Sequence, residues 1–154
     1  MRALAVALAA AALLALPVGA GATIVPQQGM AGVRLQMTKA QVRAKLGAPR
    51  NMRDGMNDFG PYSMWVYPRI TINFQGRQRV SSMQTLSPLE RTASGVGVGS
   101  IEARVKAGVP KVKCSSELGL RHCVAGAFKP GRTVTVFSIK SGKVRAVVVG
   151  VILD

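Results

Sequence analysis

The segment GVRLQMTKAQVRAKLGAP, residues 32–49, returns 63 residues later as GVGVGSIEARVKAGVPK, residues 95–111. The match needs no gap across its core. Gly32 falls on Gly95, Val33 on Val96, Leu35 on Val98, Ala40 on Ala103, Val42 on Val105, Ala44 on Ala107 and Leu46 on Val109. A chain that repeats its folding instructions must build the same unit twice. Units of about 65 residues are marginal alone, and joining the two through a sheet makes one more stable body.

Each copy reads as an extended lead-in followed by a short helix. In the first, Thr38 is placed to cap a helix over residues 38–46, and Gln41 three residues on completes a capping box. Gly47 and Pro49 end it. In the second, Ser100 is the expected cap, because Ile101 stands at the position of Thr38. Glu102 and Lys106 form an i,i+4 pair, and Gly108 and Pro110 close that helix.

Strand patterns follow both helices. RITINF alternates with Ile70, Ile72 and Phe74 on one face, and turn residues separate RNMRD, PYSMWVYP, RITINF and RVSSMQTL. KVKC, RHCVAGAF, TVTVFSI and KVRAVVVGVIL repeat the plan. The expected fold is α+β: two tandem units, residues 23–90 and 91–154, each a short helix packed on a roughly four-stranded antiparallel sheet, with SPLERTAS (87–94) as linker.

The lead-in pattern G-[VI]-x-[LV]-G-x-[ST]-x-x-x-V, carried by residues 32–42 and 95–105, resembles that of beta-lactamase inhibitory protein and of the BamE (SmpA/OmlA) lipoproteins. The resemblance implies helix-plus-sheet units, single in the lipoproteins and doubled in the inhibitor. This chain departs from the pattern at Gln36, where glycine is usual, and at Ile101, where a hydroxyl cap is usual. The lipoproteins' anchoring cysteine is absent, and so is a cysteine pair in the first copy.

The N-terminus reads as a secretory signal peptide over residues 1–22. A basic Met-Arg start precedes an apolar run of 14 residues, too short for a membrane span, and an Ala20-Gly21-Ala22 cleavage site. Secretion past Ala22 would leave 132 residues with a net charge of +14, a field that favours anionic partners but has no geometric specificity. In an oxidising compartment Cys114 and Cys123 read as a disulfide across the first hairpin of the second copy.

Catalytic chemistry finds few residues. The single histidine, His122, neighbours Cys123, and neighbours on a strand face opposite ways. A zinc set of Cys114, Cys123, His122 and Glu117 lacks a familiar ligand spacing. Asp54 and Asp58 lie in a turn-rich segment, and GVGVGS lacks the Lys-Ser/Thr of a phosphate loop. The chain reads as non-enzymatic, with no metal and no cofactor.

Binding chemistry offers two candidates. Phe59, Tyr62, Trp65 and Tyr67 fall within nine residues; exposed, they are anchors for a protein partner, and buried, they are core. Arg77 and Arg79 flank one hairpin turn, and Lys140, Lys143 and Arg145 flank its counterpart. These tips could grip an anionic surface at two points or be solvated turn charges. Basic residues without interleaved exposed aromatics argue against single-stranded nucleic acid. The expectation is a secreted protein-binding module of inhibitor or envelope-adaptor type, partnered in the envelope or medium. The alternative is an electrostatic binder of anionic wall polymer or lipid.

Overall fold

Helix α1 (Lys39–Leu46) forms where its capping residues place it. The Thr38 side chain accepts from the Gln41 backbone, and the Gln41 side-chain carbonyl accepts from Thr38 N at 2.9 Å. Gly47 ends the helix, its N–H donating to Arg43 O at 2.8 Å. Helix α2 (Glu102–Gly108) begins at Ile101 with no side-chain cap. Ser100, the expected cap, instead accepts from Gly97 N at 3.1 Å and from Arg91 Nη1 at 3.3 Å, bracing the preceding turn.

The computed structural model describes residues 23–153 apart from Arg77. The leader read over residues 1–22 lies outside the described residues. Strands β4 (Asn51–Asn57), β5 (Gly60–Val66), β6 (Thr71–Gln75) and β7 (Arg79–Thr85) follow α1 as a meander. Strands β8 (Lys113–Glu117), β9 (Leu120–Gly126), β10 (Thr133–Lys140) and β11 (Lys143–Val151) follow α2. All eight make one antiparallel sheet in the order β4-β5-β6-β7-β11-β10-β9-β8.

This overturns the expectation of two helix-on-sheet units. The described residues are mostly β, with eleven strands and two helices of 8 and 7 residues among them. The physical reason lies at the seam, where Ser82 to Thr85 of β7 pair with Gly150 to Val147 of β11. Each strand is the last of its meander and would otherwise present a row of unpaired backbone groups. A helix of two turns also covers too little sheet to bury a face alone.

A second sheet, not expected, is built from β1 (Ile24–Val25), β2 (Gly29–Met30) and β3 (Val33–Arg34). It buries Ile24, Met30 and Val33, and Gln27 N donates to Thr135 Oγ1 of β10 at 2.6 Å. This small sheet and the helices share one side of the large sheet. Val42 of α1 and Val105 of α2 join one core cluster with Trp65, Phe74, Met83, Phe137 and Val147.

The repeat is exact in backbone terms where the helices are entered. Gly32 and Gly95 both sit at φ 78°, and Gln36 takes the left-handed turn that Gly99 takes, at 67° and 90°. Gln36 N donates to Val80 O, and Val80 N to Met37 O; Gly99 N donates to Val144 O, and Val144 N to Ser100 O. These bonds make Val80 and Val144 equivalent. The linker is pinned by Glu90, whose fully buried carboxylate lies 3.1 Å from Arg69 Nε.

Candidate functional site

With Val80 equivalent to Val144, other positions follow from strand pairing. Val80 pairs with Phe74 and Val144 with Ile139. Ser63 pairs with Phe74, and Arg121 with Ile139. Asp54 pairs with Ser63, and Ser116 with Arg121. On the helix side this sets two versions of one contact side by side. Lys39 Nζ donates to Ser63 Oγ at 3.0 Å, and Ser63 donates to Asp54. Glu102, at the position of Lys39, instead accepts from Arg121 Nη2 at 2.6 Å and pairs with Lys106 at 2.7 Å. The hydrogen bonds from Arg121 and then Lys106 hold the Glu102 carboxyl down at about 2.

One strand step inward, Trp65 pairs with Met52, and Cys123 with Cys114. The cysteines form the expected disulfide. Glu102 lies within 4.8 Å of both sulfurs, but bonded sulfurs offer no thiolate to a metal.

Among the described residues no helix covers the opposite side of the large sheet, and two grooves lie there. Both returning strands carry a bulge: Ser81 is the extra residue between Val80 and Ser82, and Arg145 between Val144 and Ala146. A bulge re-aims a side chain out of the ladder. The first groove, 480 Å³, is lined by Met56, Phe59, Tyr62, Asn73, Gln75 and Ser81 among others. The second, 650 Å³, is lined by Leu120, His122, Phe128, Val136, Ser138, Lys140 and Arg145 among others. Tyr62, Asn73, Gln75 and Ser81 are thus the counterparts of Leu120, Ser138, Lys140 and Arg145. Sequence alignment missed this duplicated site, because the repeat there survives in pairing and not in residue identity.

The grooves differ in how their polar groups are used. Gln75 Nε2 donates to Phe59 O at 2.8 Å and to Pro61 O and Asn57 Oδ1 at 3.2 Å. Ser81 Oγ accepts from Gln75 N and donates to Asn73 O, both at 3.1 Å. Tyr62 lies across Gly55 of the edge strand, where an added Cβ would come within 2.6 Å of its ring. In the second groove neither Lys140 nor Arg145 has a side-chain hydrogen bond or ion pair among the described residues. His122 Nε2 lies 3.2 Å from Ser115 Oγ.

The sequence candidates divide accordingly. Trp65 and Tyr67 are core residues, 3% and 7% exposed, and so are unavailable as surface anchors. Trp65 packs on Phe74 with Arg43 over its ring at 5.0 Å. The Tyr67 hydroxyl donates to Gly47 O at 3.2 Å, and burial pushes its phenol above the ordinary value. Phe59 is 53% exposed, and it shares the first groove with Tyr62. The two basic tips are not alike. All four described residues are exposed, but Arg79 Nη1 is tied to Gln36 O at 3.0 Å, whereas Lys140, Lys143 and Arg145 have no side-chain hydrogen bond among the described residues; Arg77 lies outside them. Asp54 belongs to β4 and bonds Ser63, while Asp58 sits in the hairpin turn beyond it.

No family model and no curated protein matches the chain. A solved structure of a DUF4309 family protein (YjgB) from Bacillus subtilis is similar at 14% identity and TM-score 0.44, over 84% of this chain and 88% of that one. Among the described residues no helix is long and apolar enough to cross a membrane.

Proposed function

We propose that the protein is an exported, non-enzymatic binding protein that docks a protein partner on the helix-free side of its large sheet. One observation carries this reading. That side presents two grooves at equivalent positions, with apolar side chains such as Phe59, Leu120 and Phe128 left 53%, 71% and 62% exposed. Exposed apolar area gathered in this way marks interaction surfaces, and aromatic anchors concentrate interface energy. The leader-like N-terminus and the disulfide support export. The lead-in resemblance supports an inhibitor or envelope-adaptor role.

A photo-cross-linking residue at position 136, on the open side, tests the reading when compared with one at position 104 on α2. The cell's secreted and envelope fractions supply the partner. Capture of one protein from position 136 but not from 104 is the expected result; equal capture from both would overturn it. A second reading, binding of anionic wall polymer or lipid, is favoured by the unpaired Lys140, Lys143 and Arg145. It requires binding that collapses as salt rises.

A further inference from the structure

The groove over β9 and β10 and the groove over β5 and β6 occupy equivalent positions in the two halves, and the one over β9 and β10 is lined by cations. At the bulge, a serine bonded into the backbone stands in the first half and an unpaired arginine in the second. At the strand end, a glutamine that closes the β4–β5 hairpin is replaced by an unpaired lysine. Glu117 is the one acidic residue lining the second groove, and Arg121 beside it is already held by Glu102.

We infer that the second groove is a subsite for a short acidic-apolar segment of a protein partner. An aliphatic or aromatic side chain lies between Leu120, Phe128 and Val136, and adjacent carboxylates lie against Lys140 and Arg145. The inference rests on the protein-binding reading and names the chemistry that reading would require. Charge complementarity selects the carboxylates, since charge-assisted hydrogen bonds from arginine to carboxylate are among the strong ones. A protein segment fits better than an enclosed small molecule. Sites for small molecules bury most of the ligand, whereas Leu120 and Phe128 stand largely exposed at this groove. Apolar surface of this kind is covered when a partner seals an interface over it.

The probe is the peptide acetyl-Asp-Glu-Phe-Leu-Asp-Glu-amide, titrated calorimetrically into the chain from Thr23 onward. Comparison probes are the same peptide with lysine at every acidic position, and dodecanoate. The acidic peptide is expected to bind, and the lysine peptide is not. Binding should weaken about tenfold in the double variant K140Q/R145S, which installs the first groove's residues, and by a similar factor in Phe128→Ser. All three positions are on the surface, and thermal melts verify that the variants fold. Equal affinity for both peptides, an unchanged affinity in K140Q/R145S, no binding, or binding of dodecanoate alone would each overturn the inference. Should the peptide fail while cross-linking from position 136 still captures one protein, the subsite falls and the docking face stands.

Discussion

The two halves share a backbone plan and solve three problems differently. Behind the first helix turn, the first half uses Lys39, Ser63 and Asp54, and the second reverses the sign with Glu102, Arg121 and Ser116. In the next layer, the first half packs Trp65, and the second closes a disulfide. On the open side, one groove bonds its Gln75 and Ser81 internally, while the other has Lys140 and Arg145 without a side-chain partner among the described residues. The side facing the core keeps its geometry under changed chemistry, whereas the open side differs in which polar groups are bonded.

The largest expected effects test whether the halves are one folding body. Phe74 and Phe137 are both fully buried in the same cluster. Phe74→Ala and Phe137→Ala should each cost about 3–5 kcal/mol, and urea unfolding should remain a single transition seen alike by fluorescence and circular dichroism. Two separated transitions would show that the seam does not couple the halves. Arg69→Ala leaves the buried Glu90 carboxylate without its ion pair, and a loss of about 3 kcal/mol is expected in the same assay. A loss below about 0.5 kcal/mol would mean the linker is held by other contacts.

The disulfide comes next. Replacing Cys114 and Cys123 together by alanine should cost about 2.5–3 kcal/mol by the loop-closure argument. No change in the urea midpoint would show that the second half needs no substitute for the Trp65 layer. Smaller still is the difference between caps: Thr38→Ala should lose about 1 kcal/mol, while Ile101→Thr should gain a few tenths. Destabilisation by Ile101→Thr would show that the second helix has adapted to an uncapped start.

The smallest effect concerns pH. Glu102 has a folded value of about 2 against an ordinary 4.5, so the folded state favours its ionised form. Its contribution is fully present above about pH 4.5 and disappears as pH falls towards 2. The melting-temperature gap between wild type and Glu102→Gln should therefore narrow over that window. A gap that stays constant from neutral pH to pH 2 would remove the ion pairs as its cause.

The repeat made much of the local structure legible. The turn glycines, the Thr38 capping box and both meanders stand in the sequence because they depend on near neighbours. That the two units join through a sheet was expected, but which edges meet was not legible, because edge pairing is decided by backbone groups common to all residues. Two-residue strands such as Gly29–Met30 are too short to show any period. The burial of Trp65 and Tyr67 could not be read from an aromatic cluster that serves equally as core or interface. The bulges did leave a trace. Inward residues run Val80, Met83, Thr85 and Val144, Val147, Val149, a spacing of three and then two. That spacing, present in both copies, marks one extra residue between Val80 and Met83 and between Val144 and Val147, and the register places it at Ser81 and Arg145.

The seam has a consequence in time. β11, which closes the sheet against β7, comes last in chain order among the described strands, and Lys143 lies well over fifty residues beyond Thr85, where β7 ends. Until it arrives, the first half exposes β7 as a bare edge, and unpaired edges invite pairing with other chains. Truncation within β11 would thus harm the half made first, whose β7 edge stays adhesive until its partner strand has been synthesised.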